Sequence, residues 1–145
     1  MFFINVQRKI NKPIAEVFAA LCDHANYSRF KGVDESRLIK LGELEPNGLG
    51  AVREIVAGGS TLHEEIVKFD PPNTLGYQII YSKPLPYAHE FGEITLEEVD
   101  GKTHVKWLSK GRIKIPLLGP WYFDKQIQKH GGRAFGSILK SIEQA

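Results

Sequence analysis

Five histidines, one cysteine and seventeen carboxylates are the groups in this chain that could move protons, attack carbon or hold a metal. His24, His63, His89, His104 and His130 show no HxxxH, HxH or CxxC spacing, so no metal site is expected. No glycine-rich phosphate loop is present. Gly58-Gly59-Ser60 lacks the lysine and the following helix, and reads as a hairpin turn. There is no GxSxG nucleophile elbow. Cys22 closes an amphipathic segment and reads as a small buried apolar residue. General acid–base chemistry remains, with Glu90, His130 and a Glu64/Glu65/His63 group as its candidates. A carboxyl held in an apolar pocket has its pKa raised and can work as an acid or base near neutrality. The structural alternative pairs Glu64 or Glu65 with Arg53 across the Gly58-Gly59 hairpin and leaves His130 on a helix flank. Alternation along residues 62–67 is too imperfect to choose which face points inward.

These groups must be positioned by one domain. The chain has 145 residues, 42% hydrophobic and 25% charged, enough to bury a core without disulfides. A single cysteine excludes an internal disulfide and makes the cytoplasm the expected compartment. Nineteen basic against seventeen acidic side chains give a net charge of +2, too balanced for a nucleic-acid partner or an anionic membrane. No apolar run reaches the length of a membrane span, so stable insertion is not expected.

Phe2 to Ile10 alternates and reads as a half-buried strand. Asn11-Lys12-Pro13 starts a short helix whose apolar residues Ile14, Val17, Phe18 and Leu21 follow helical spacing. A second short helix or turn is expected over Asp23 to Phe30. Strands follow over 36–41, 50–56, 60–69, 75–81, 87–99 and 102–115, separated by glycine- and proline-bearing turns. From Pro120 to Ala145 the pattern is that of a long amphipathic helix. With Ile127 at its centre, one face carries Pro120, Phe123, Gly131, Ala134, Ile138 and Ile142. Gly131 is a hole in that stripe, costing about 1 kcal/mol against alanine.

Asp100-Gly101 is the strongest hairpin signal in the chain. With these two as the loop, facing residues sum to 201. Leu96 then faces Val105, Ile94 faces Trp107 and Gly92 faces Ser109, all on the core side. Further from the turn this inner row thins to Gly92, Ser109 and Gly111, with Glu90 expected to point inward opposite Gly111. Missing side chains on the sheet face, opposite a missing side chain at Gly131, argue for a cavity between helix and sheet.

With no crossover helix between residues 36 and 115, the sheet must be an antiparallel meander and the domain α+β. The run Asn11-Lys12-Pro13-Ile14-Ala15-Glu16-Val17-Phe18 followed by Leu21 and Asp23 resembles the first-helix signature of the SRPBCC, or START-like, superfamily. So do Phe69-Asp70-Pro71-Pro72 before Leu75-Gly76-Tyr77, and Asp100-Gly101-Lys102-Thr103 leading to Trp107. The resemblance covers essentially the whole chain, taken as a single domain over 1–145. It implies the helix-grip fold: a seven-stranded antiparallel sheet wrapped around a long C-terminal helix, with two short helices after strand 1. It also implies a deep apolar pocket, in a superfamily of polyketide cyclases, dehydratases and lipid-transfer domains without a universal catalytic residue.

The expected partner is therefore a hydrophobic small molecule, such as a lipid, polyketide or aromatic metabolite, bound without a cofactor. Its expected pocket is lined by Tyr77, Glu90, Gly92, Ile94, Trp107, Ser109, Gly111, Phe123, Ile127, His130, Gly131 and Ala134. Tyr81, Tyr87, Trp121 and Tyr122 are further aromatic candidates for the pocket or its rim. Two other readings stay open: a cyclase- or dehydratase-type enzyme using the acid–base groups above, and an interaction domain with a filled core. The latter would use the apolar segment Ile115 to Trp121, which a homodimer contact could cover.

Overall fold

The computed structural model describes residues 1–145. Strand β1 (Phe2–Ile10) leads into helix α1 (Ile14–Cys22) and a 3₁₀ turn (His24–Arg29). Six strands follow: β2 (Glu35–Lys40), β3 (Val52–Ala57), β4 (Ser60–Asp70), β5 (Thr74–Lys83), β6 (Tyr87–Val99) and β7 (Lys102–Ile113). A π-helical turn (Gly119–Phe123) then runs into helix α2 (Asp124–Gln144). The seven strands form one antiparallel sheet in the order β1-β7-β6-β5-β4-β3-β2. Only β1, laid beside β7, departs from a meander. This is the helix-grip architecture expected from the sequence.

The β6–β7 hairpin turns on Asp100 (φ 52°) and Gly101 (φ 77°), both in the left-handed region that this two-residue turn requires. Its register keeps Leu96 opposite Val105, Ile94 opposite Trp107 and Gly92 opposite Ser109. Each inward row can be followed across the sheet. One reads Val6, Trp107, Ile94, Leu75 and Phe69. The next reads Ile4, Ser109, Gly92, Tyr77 and Ile66. Beyond Tyr77 and Gly92 the β5–β6 ladder ends, although both strands continue.

Helix α2 packs chiefly along β1. Its C-terminal half buries Ile138, Leu139 and Ile142, each worth about 1.5–3 kcal/mol by removal from water. Arg8 of β1 donates to Glu143 at 2.6 Å. Ser137 Oγ donates to the Lys31 carbonyl at 3.1 Å. At the other end Asp124 is buried and accepts the Ile113 N–H at 2.8 Å. Between these anchors the side chains of Ile127, Ala134 and Phe135 stay half-buried, as does Phe123 just before Asp124. The inner face is centred on Gly131, Phe135 and Ile142, rotated away from the centre on Ile127 that periodicity suggested. Three glycines at 131, 132 and 136 weaken the stripe on that side, so Phe135 and Leu139 decide the orientation.

Candidate functional site

The concave side of the sheet beneath α2 carries a polar floor set among aromatic rings. It is built around a bulge in β6. His89 faces Gly111, but the next pair is Phe91 with Lys110, so Glu90 is the extra residue. Counting back from the Asp100-Gly101 turn without the bulge puts Glu90 inside and His89 outside. The bulge reverses both. Glu90 is exposed, 3.5 Å from Lys110 on the outer side, and His89 is buried.

His89 stands where the β5–β6 ladder fails, and its ring takes over the lost pairing. The Ile79 N–H donates to His89 Nδ1 at 3.0 Å, and His89 Nε2 lies 2.9 Å from Ser109 Oγ. Because a backbone amide can only donate, Nδ1 must accept and Nε2 must carry the proton. The imidazole is therefore a neutral ring donating to Ser109. Burial pushes its pKa down to about 4, consistent with that state. The ring also stacks on Tyr77, 5.7 Å between centroids.

Tyr77 fills the space above Gly92. A Cβ on Gly92 would fall 2.5–2.6 Å from Cε2 and Cε1 at the hydroxyl end of the ring. The Tyr77 hydroxyl accepts the Trp107 indole N–H at 2.9 Å, and Trp107 in turn stacks on Phe135 of α2 at 4.1 Å. The Gly111 position is likewise covered: an added Cβ would lie 2.9 Å from the Phe2 ring and 2.8 Å from the Ala88 carbonyl. A Cβ at Gly131 would run into Ile4 Cδ1. The three glycines thus do not mark empty space, contrary to the sequence expectation. The Tyr77 ring, the Phe2 ring and Ile4 occupy the space that a Cβ would need at Gly92, Gly111 and Gly131.

Deeper, toward β3 and β4, lies a buried charged pair. Arg53, 1% exposed, donates from Nε to Glu64 Oε1 at 2.8 Å. Its Nη1 donates to His24 Nδ1 at 3.2 Å, while His24 Nε2 donates to the Asn47 carbonyl at 2.9 Å. Burial, and secondarily the Arg53 charge, push the His24 pKa down to about 3. The guanidinium also sits over the rings of Tyr27 and Tyr77, at 4.6 and 5.3 Å. Of the two open pairings, Glu64 is thus the residue that meets Arg53. Its neighbour His63 meets Glu54 at 2.7 Å on the other face of β3 and β4.

The remaining expected site residues divide by position. Ile94, Trp107, Ser109 and Tyr77 are buried in the floor. Ile127, Gly131 and Ala134 lie half-buried along α2, and Phe123 half-buried at the end of the preceding turn. His130 is exposed and bonded to Gln126 at 3.2 Å, not turned toward the sheet. Tyr81 and Tyr122 are about half exposed and Trp121 is 76% exposed, so none of the three belongs to the floor. Reasoning from sequence missed His89, Arg53 as a floor residue, and His24. His89 was hidden by the bulge. A histidine after the short helix and an arginine at an inward strand position carry no spacing signal of their own. No group of three or more His, Cys, Asp or Glu converges on a metal-sized site. Two surface concavities, of about 550 and 500 Å³, lie elsewhere. The first is lined by Gln7, Thr95 and Lys106 among others, and the second by residues 112–117 beside Asp124.

A curved sheet gripping one long helix over an aromatic floor with buried polar groups defines a START-like protein. Residues 1–141 match the family described as polyketide cyclase / dehydrase and lipid transport, and the chain belongs to that family. A START superfamily protein from Mycobacterium smegmatis superposes with a TM-score of 0.79 at 8% identity, covering 99% of this chain and 96% of that one. The protein XoxI from Bacillus cereus gives 0.73 at 16% identity, covering 99% and 94%. The Aha1 dimer from Colwellia psychrerythraea gives 0.70 at 16% identity, covering 100% and 96%. At these identities the likeness establishes the fold alone. No curated protein matches the chain significantly in sequence. No helix is long and apolar enough to cross a membrane.

Proposed function

We propose that the chain binds a hydrophobic small molecule, of the lipid, polyketide or aromatic-metabolite kind, between the N-terminal half of α2 and the β5–β6–β7 floor. The observation that carries this reading is the uneven seating of α2. Its last turns are fixed by Ile138, Leu139 and Ile142, whereas Ile127 and Ala134 before them, and Phe135 stacked on Trp107, stay half-buried. A stripe of apolar side chains left partly in water, above a floor with few and fixed polar groups, suits an apolar guest. Space for it comes from swinging Phe135 of α2 off Trp107, which stays bonded to Tyr77, since the glycine positions are already filled. The single, buried Cys22 suits a reducing compartment such as the cytoplasm.

An acid–base enzyme built on Glu90 and His130 has no support, because both face solvent. Native mass spectrometry of protein purified from its own host tests the binding reading. The expected result is a one-to-one noncovalent adduct whose mass belongs to a lipophilic compound. An unliganded spectrum, together with no melting shift across a panel of lipophilic compounds, would overturn it.

A further inference from the structure

Two hydroxyls of the floor each accept one hydrogen bond and have no protein acceptor for their own hydrogen. Ser109 is 3% exposed and His89 is its one side-chain hydrogen-bond partner. Since His89 Nε2 donates, Ser109 Oγ accepts, and its own O–H hydrogen is unspent. Tyr77 is 2% exposed, and its hydroxyl has Trp107 as its one partner. An indole N–H can only donate, so the Tyr77 hydrogen is unspent as well. The two residues belong to one inward row: Tyr77 is paired with Gly92, and Gly92 with Ser109. The Tyr77 ring lies over Gly92 with its hydroxyl end uppermost on that glycine, which brings it toward the Ser109 column. Neither hydroxyl hydrogen has a protein acceptor, and a guest atom with lone pairs would supply one.

The charges around them define that atom further. The one buried cation, Arg53, is already committed to Glu64 and His24. His24 and His89 are both held neutral by their hydrogen bonds. No free positive charge faces the floor, and Glu64 adds a carboxylate nearby. A guest carboxylate would be desolvated without a partner. Building on the binding reading above, we infer that Ser109 and Tyr77 form a two-donor site for a neutral oxygen acceptor, a ketone or ester carbonyl, on an otherwise hydrophobic ligand. The donors are pre-oriented, Ser109 by His89 and Tyr77 by Trp107. His89 is then a positioning residue: its Nδ1 lone pair is held by Ile79 N–H, so it sets the direction of the Ser109 hydrogen without taking a proton.

Three probes of nearly equal size test this: 2-acetylnaphthalene, 2-ethylnaphthalene and 2-naphthoate, titrated by calorimetry against the full chain. The expected order is ketone tighter than hydrocarbon and hydrocarbon tighter than carboxylate. Ser109→Ala should lower the ketone-to-hydrocarbon affinity ratio about 5- to 10-fold, the range expected for losing one hydrogen bond to a neutral acceptor. Ser109→Thr, which keeps the hydroxyl, should restore it. If Ser109→Ala fails to fold, Tyr77→Phe should lower the same ratio. The bound ketone's infrared C=O band should lie below its position in an apolar solvent, and should shift back up in either variant. Equal binding of ketone and hydrocarbon in the wild type, or an unshifted carbonyl band, would overturn the donor site while leaving the binding reading intact. So would naphthoate binding as tightly as the ketone. No saturable binding of any probe would remove the binding reading itself.

Discussion

Replacing Gly92 by alanine separates a packed floor from an open one by the sign of the effect. Gly92 does not have a positive φ, so its backbone accepts alanine without strain. Over an empty cavity the change would be neutral or favourable, by about 0.5–1 kcal/mol, because glycine in a strand loses more entropy on folding. Here the new methyl would fall 2.5–2.6 Å from two carbons of the Tyr77 ring. The ring must lift, and overpacking of this kind costs about 1–3 kcal/mol. Lifting it also draws the hydroxyl from the Trp107 N–H, for about 1–3 kcal/mol more if no water replaces it. Set against the entropy gain, the net loss is about 1–5 kcal/mol, which lowers the melting temperature by roughly 3–15 °C in a chain of this length. Thermal unfolding followed by circular dichroism reads it directly. Gly132→Ala is the internal control, since no atom lies within 4 Å of its added methyl. It should be stabilised by up to about 1 kcal/mol. If Gly92→Ala melts at or above the wild-type temperature while the control behaves as stated, the floor is not packed as described.

Arg53→Met leaves the Glu64 carboxylate buried without its partner and should cost about 3–5 kcal/mol by urea denaturation, whereas Arg53→Met/Glu64→Leu should recover most of that loss. Acidification should destabilise the fold before the carboxylates titrate. His24 and His89 have folded pKa values of about 3 and about 4, below their ordinary 6.5, so the unfolded chain binds more protons as the pH falls below 6.5. Stability is then full above pH 6.5 and is lost by up to about 1.4 kcal/mol per pH unit for each histidine below it. Between pH 6.5 and 4.5 this slope should be reduced in His89→Gln; an unchanged slope would exclude His89 as its source. Burial pushes the Cys22 thiol up to about 12, so a thiol reagent such as Ellman's should label native protein only through unfolding, and fast labelling would contradict its placement.

The fold was legible because local signals agreed with one another. Alternation along Phe2–Ile10, the Asp100-Gly101 turn and the final helix each point to the same antiparallel sheet with its covering helix. The hairpin register follows from the turn alone as far as Gly92 and Ser109, since side-chain direction repeats every two residues. It fails at Glu90 for the same reason: one bulged residue exchanges the faces of everything beyond it. The site was only half legible. Small residues at 92, 111 and 131 read as a gap between helix and sheet, but their meaning depends on where Tyr77, Phe2 and Ile4 point. Neither periodicity nor composition carries that information. The Arg53–Glu64 pair was readable as one of two pairings across the Gly58-Gly59 hairpin, and only the strand register selects Glu64.

The proposed guest should lie between α2 and the floor, not on the exposed apolar connection after β7. Intermolecular nuclear Overhauser effects from 2-acetylnaphthalene to isotope-labelled protein test it most directly. Contacts to Trp107, Phe135 and Tyr77 are expected. Contacts confined to Leu117, Leu118 and Trp121, which are 84%, 51% and 76% exposed, would contradict it.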